Sequence, residues 1–111
     1  MIEKIVLNYL ADALEVPVSM EVPEPMPDAF VVLEKTGSSR ENRIWRAAFA
    51  VQSYGKTLLE AAELNEKVKS AMDSLTELDE IGAARINTDY NFTDSKTKRY
   101  RYQAVYDLTH Y

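Results

Sequence analysis

Apolar positions recur along the chain with two periods, and each change of period marks a change of element. In residues 2–14, Ile2, Ile5, Val6, Tyr9, Leu10, Ala13 and Leu14 fall at i, i+3, i+4, i+7 spacing. That stripe predicts an amphipathic helix, which Pro17 closes. Val18, Met20 and Val22 alternate weakly, predicting a short strand that Pro17 and Pro23 confine to a sheet edge. Pro23, Pro25 and Pro27 then impose an extended connector. AFVVLEKT (29–36) is a β-branched apolar run, and RIWRAAFAVQSY (43–54) alternates with Trp45, Ala47, Phe49 and Val51 on one face. The polar stretch GSSREN (37–42) between them predicts a β-hairpin with an exposed, mobile tip from Ser38 to Arg43.

Thr57-Leu58-Leu59-Glu60 has the form of a capping box and predicts the start of a long helix. Its inner stripe is Ala61, Leu64, Val68, Ala71, Met72 and Leu75, and its end is expected near Leu78, before Gly82. Glu63, Glu66, Lys67, Lys69 and Asp73 are expected to face water, with Glu63 and Lys67 ordered for an i,i+4 pair. Two further alternating runs follow. In 84–93, Ile86, Thr88, Tyr90 and Phe92 form one row; in 99–110, Tyr100, Tyr102, Ala104, Tyr106 and Leu108 form another. Joined by DSKTK (94–98), they predict a second antiparallel hairpin with one wet face. The fold class expected is α+β, a mainly antiparallel sheet of four to five strands with two helices packed on one face, in the order α-β-β-β-α-β-β.

Composition narrows the functional classes. A length of 111 residues suits one α+β domain spanning 1–111, and 46% hydrophobic with 28% charged residues is a globular composition. The net charge of −5 argues against nucleic acid as the main partner, since phosphate binding draws on clustered Lys and Arg. The absence of cysteine removes disulfides, thiolate metal sites and a Cys nucleophile. MIEKIVLNYLADALEV lacks the basic start and unbroken apolar core of a signal peptide. No stretch reaches the roughly 20 apolar residues of a membrane span, so a soluble, membrane-free protein is expected.

Catalytic chemistry finds little to work with. The single histidine, His110, supports neither a triad nor a His-rich metal site and is expected to pack on a strand. Carboxylates such as Glu60, Glu63, Glu66, Asp89 and Asp94 are scattered. NTDYNFTD lacks the glycine an EF-hand loop needs, and Gly37, Gly55 and Gly82 form no phosphate-cradling loop. The expectation is no enzyme, no catalytic residue, no metal and no cofactor. Two features ask for a partner. KTKRYRY (96–102) interleaves cations with tyrosines, as single-stranded nucleic-acid sites do, but also as an edge strand with aromatics inward and cations outward does. The tip GSSREN is the other, as a loop that orders on contact.

The N-terminal helix, PDAFVVLEKTG, the phrase AFAVQSYG leading into TLLEAAELNEKVKSAM, and the closing DYNFTDSKTKRYRYQAVYDLTHY together span nearly the whole chain. In these the chain resembles the tail terminator (tail completion, minor tail) proteins of long-tailed phages and prophages of Gram-positive bacteria. The resemblance implies a structural virion protein that assembles in the host cytoplasm. It would form a homo-oligomeric ring, hexameric on the tail, that stops growth of the tail tube and offers a face to the head. The implied partners are the major tail tube protein and the head connector or neck protein. On that reading the 99–109 strand and the 38–43 tip supply subunit or tube contacts, through Arg40, Arg43, Lys98, Arg99 and Arg101. Two other readings stand beside it: a head-side neck or head-completion protein, and a ferredoxin-like module binding RNA or a small molecule, a fold that carries many functions.

Overall fold

The two alternating hairpins form and join through their second strands into one sheet. A computed structural model describes residues 1–111. The order is α1 (Ile2–Ala13), β1 (Val18–Ser19), β2 (Phe30–Glu41), β3 (Ile44–Gly55), α2 (Leu58–Asp73), a 3₁₀ turn (Ser74–Glu77), β4 (Ile81–Asn91) and β5 (Tyr100–His110). The strands lie in the order β1-β2-β3-β5-β4, antiparallel except for β1, which pairs parallel to β2 through Val18–Val31 and Ser19–Val32. This is the α+β architecture expected, with β1 the edge strand its prolines require.

Both helices cover the same face. Val6 and Leu10 of α1, and Val68 and Met72 of α2, are fully buried against Leu33, Phe49, Val51, Ala104, Tyr106 and Leu108. Each such side chain contributes about 1.5–3 kcal/mol by leaving water. The predicted inner stripe of α2 is buried at every position, together with Asn65, which the periodicity did not single out. Thr57 caps α2 by accepting from the Glu60 N–H at 3.1 Å. The Glu60 carboxylate reaches back one residue further than in the standard box, accepting from the Lys56 N–H at 3.1 Å. The α-helix stops at Asp73, and the 3₁₀ turn carries the chain on to Leu78, whose N–H bonds to the Leu75 carbonyl.

Five expectations are corrected. Strand β2 does not end at Gly37. It runs to Glu41, and the turn is the two-residue Asn42-Arg43, with φ of 53° and 67°. Positive φ at both central residues is the type I′ geometry that follows the twist of a hairpin. The residues after Gly37 are exposed but held in register, from Ser38–Ala47 to Glu41–Ile44. Strand β4 begins at Ile81 rather than at 84 and takes in Gly82. Strand β5 is interior, between β3 and β4, so its basic row is not at an edge. In β4 the row Ile86, Thr88, Tyr90, Phe92 does not share one face. A bulge between Ile86 and Thr88 shifts the register, so that Ile86 opposes Tyr106 on the helix side while Tyr90 opposes Gln103 on the other. Finally, Lys69 does not face water freely. Its ammonium lies 2.9 Å from both Glu66 and Asp89, and the Glu63–Lys67 pair does not form.

Candidate interaction surface

The face opposite the helices is built by the other parity of the same strands, and it has two halves. At the end where β2 begins, Phe30 stacks on Tyr54 with ring centroids 4.3 Å apart, and Val32 and Val22 complete a small apolar cluster. Phe30 and Tyr54 are buried although no helix covers them. The chain between β1 and β2 does not run extended throughout, as its prolines predicted: it bends at Met20–Glu21, Glu24–Pro25 and Asp28–Ala29 and folds back over this end, which places Val22 there.

From Tyr54 a polar and aromatic network crosses the sheet. Arg101 donates to the Tyr54 hydroxyl and, through Nε, to the Phe92 carbonyl, both at 2.8 Å. Its guanidinium lies 4.5 Å from the Phe92 ring centroid and 5.7 Å from that of Tyr54, within cation–π range. Tyr54 donates to Gln52, whose amide donates to Gln103 at 2.9 Å, and Gln103 donates to the Tyr90 hydroxyl. Tyr90 and Phe92 meet edge to face at 5.7 Å. Side chains from β3, β4 and β5 are thus tied together in a region that is only half buried.

The other half lies toward the β2–β3 turn. Gly37, Ser39, Arg46, Ala48, Ala83, Arg85, Asp107 and Thr109 line a shallow cleft of about 700 Å³. A second groove, of about 750 Å³, runs between α1 and α2, where Tyr9 donates to the Glu77 carboxylate at 2.6 Å.

The five cations singled out in the sequence fall into two groups at opposite ends of the sheet. Trp45 pairs with His110 and Gly55 with Tyr100 in the β3–β5 ladder, so the ends are about 33 Å apart. Arg40 and Arg43 sit at the hairpin turn; Arg40 lies 5.4 Å over the Trp45 ring, on the helix side. Lys98 and Arg99 belong to the β4–β5 connection, where Lys98 has φ 53° and the backbone of Arg99 pairs with that of Asp94 in a single antiparallel β-bridge. Asp94 is half-buried, and its carboxyl is held below the ordinary value chiefly by accepting from the Lys96 N–H. Arg101 is a buttress of the network just described rather than a free cation.

Sequence reasoning missed Arg46, Arg85, Gln52 and Gln103. Arg46 was on the outward parity of RIWRAAF, and Gln52 on that of AVQSY, so period two could have placed both. No group of three or more His, Cys, Asp or Glu side chains converges as a metal site. The sequence matches no protein-family model, and no curated protein matches it.

Proposed function

We propose that this chain is a structural tail-assembly protein of a phage or prophage, a tail terminator that caps the tail tube as a ring and mediates joining to the head. The observation that supports it best is a sheet with helices on one face only, whose open face carries unlike surfaces at its two ends. A subunit that closes into a ring by head-to-tail contacts needs two different patches, since each interface joins one patch to the other. The phrases that carry the family resemblance fall on main elements of the fold: AFAVQSYG ends β3, TLLEAAELNEKVKSAM forms α2, and the closing phrase forms the end of β4, the connection and β5. An RNA-binding reading has less to draw on. Phe30 and Tyr54 are buried on each other, and Arg101 is engaged with Tyr54 and Phe92, so these groups are not free for base stacking.

The test is electron microscopy of tails assembled without this protein. Overlong tubes that fail to join heads are expected, and tubes of normal length would sink the proposal.

A further inference from the structure

Arg46 of β3 and Arg85 of β4 stand on either side of β5 at the turn end of the open face. Neither takes part in an ion pair within the chain. Asp107 lies between them in the ladder, opposite Arg85, and accepts a long hydrogen bond of 3.3 Å from Asn87. Among the residues that line the cleft, one carboxylate stands against two guanidinium groups, with Glu34 and Glu41 of β2 beyond its rim. Its floor is made of small residues, Ala48 and Ala83, and a side chain added at Gly37 would meet no atom within 4 Å. The cleft therefore has room for an incoming chain.

A segment of opposite character lies at the far end. Between β1 and β2, Glu21, Glu24 and Asp28 are exposed, as are Met20 and Met26 at 47% and 41%. Only Asp28 has a basic partner, Lys56, at 3.7 Å. Pro23, Pro25 and Pro27 fix φ at three of its positions, so less conformational entropy is lost when it is bound than for an unrestrained loop. It cannot serve its own cleft. It is tied at one end to β1 and at the other to Phe30, and Val22 is packed on Phe30, Val32 and Tyr54. Six residues of β3, about 20 Å, separate Tyr54 from Ala48 at the cleft floor.

We propose that the Met20–Asp28 segment of a second copy of this chain docks in the arginine cleft, with Glu21 and Glu24 facing Arg46 and Arg85. The contact is head to tail, so each copy keeps a free cleft at one end and a free segment at the other, as ring closure requires. It deepens the ring reading and rests on it for its biological meaning.

The chain has no cysteine, so single thiols report the contact cleanly. Met26→Cys and Ser39→Cys variants, mixed at the highest soluble concentration under mild oxidation, are expected to give a mixed dimer in preference to either homodimer. High salt should suppress it, because at 1 M the screening length falls to about 3 Å. Adding Arg46→Glu and Arg85→Glu to the Ser39→Cys chain should abolish it. Adding Glu21→Arg and Glu24→Arg to the Met26→Cys chain should then restore it, which a misfolded variant could not do. Absence of the mixed dimer, or its indifference to charge reversal, overturns the contact. The tail-length experiment separates the two ideas. Overlong tails without a mixed dimer would leave the capping role standing and this contact refuted; normal tails with a mixed dimer would do the reverse.

Discussion

Lys69 of α2 and Asp89 of β4 meet at 2.9 Å because of one extra residue in the strand. The bulge between Ile86 and Thr88 turns Asp89 to the helix side, opposite the buried Ala104. There its carboxylate also accepts from the amide of Asn65 at 2.8 Å. The pair, with Glu66 on the other side of Lys69, fastens α2 to an otherwise exposed strand. Glu66 first and Asp89 second raise the Lys69 ammonium above its ordinary value, and Lys69 is the main cause that lowers Asp89. The two directions agree.

Replacing Asp89 by Ala leaves Lys69 with only Glu66 and the buried Asn65 amide without its acceptor. A loss of about 1–3 kcal/mol is expected, read as a shift of the denaturant midpoint. The pH dependence has a definite sign. A carboxyl held below its unfolded value of 3.8 stabilises the fold fully above that value, and the contribution disappears as pH falls through the lower folded value. Asp89→Asn should therefore flatten the acid limb of the stability curve relative to the parent chain. An unchanged acid limb would show that the pair contributes nothing.

The elements and their order were legible because each carries an unbroken period. The inner stripe of α2 and the Ala47–Phe49–Val51 row needed no tertiary information. What could not be read is where the period slips. The bulge at Asn87 has no glycine or proline to announce it, so Ile86 and Tyr90 looked like neighbours on one face. The β2–β3 turn misled in the opposite way. Gly37 is the usual turn former but sits in the strand beside a bulge, while the positive-φ positions are Asn42 and Arg43, and arginine rarely takes that conformation. The candidate surface was less legible than the fold. It depends on which residues β3, β4 and β5 bring side by side, and on the partners that remove Arg101 from the free cations.

The turn makes a prediction of its own. Arg43 holds φ 67°, where a side chain crowds its own backbone at a cost of about 1–2 kcal/mol. Arg43→Gly creates the Asn-Gly pair that this turn type prefers. After the added unfolded-state entropy of glycine, a net gain of about 0.5–1 kcal/mol is expected. Thermal unfolding checks it, and a loss of stability would mean that Arg43 has an energetic role in the isolated chain.

Gly55, at the end of β3, is fixed by close approach. A Cβ there would stand 2.6 Å from the backbone nitrogen of Ala61 and 3.0 Å from the carbonyl carbon of Glu60. Both atoms belong to the first turn of α2, which Thr57 and Glu60 hold in place, so the neighbour cannot simply rotate away. Gly55→Ala should cost about 1–3 kcal/mol or more by displacing the helix start. Thr57→Ala in the same background should then cost less than it does alone, a non-additivity a double-mutant cycle would reveal.

Charge reversal at the two arginines of the β4–β5 end should separate support from contact. Arg101→Glu loses bonds to Tyr54 and to the Phe92 carbonyl and places a carboxylate against two ring faces. It is expected to destabilise the isolated chain by about 1–3 kcal/mol. Arg99 is exposed, and Arg99→Glu should change stability by less than about 0.5 kcal/mol. If Arg99→Glu unfolds the chain as readily as Arg101→Glu, the division drawn between them is wrong.

Trp45 is the only tryptophan and stacks on His110 at 6.3 Å between centroids, which makes the β3–β5 junction observable by fluorescence. Burial is the main cause that lowers the His110 imidazolium below its ordinary 6.5. Lys35 and the N-terminal ammonium act in the same direction, while the Tyr111 backbone and Glu3 oppose it. The fold therefore prefers neutral His110. As pH falls below 6.5 the unfolded chain takes up the proton first, so this contribution to stability is full above 6.5 and is lost as pH falls toward the lower folded value. A protonated imidazole against the indole quenches it, so Trp45 emission should fall with a midpoint below 6.5. His110→Gln should remove both the quenching step and that segment of the stability slope. A midpoint at or above 6.5 would mean that the stack stabilises the imidazolium, as a cation on a ring face, rather than excluding it.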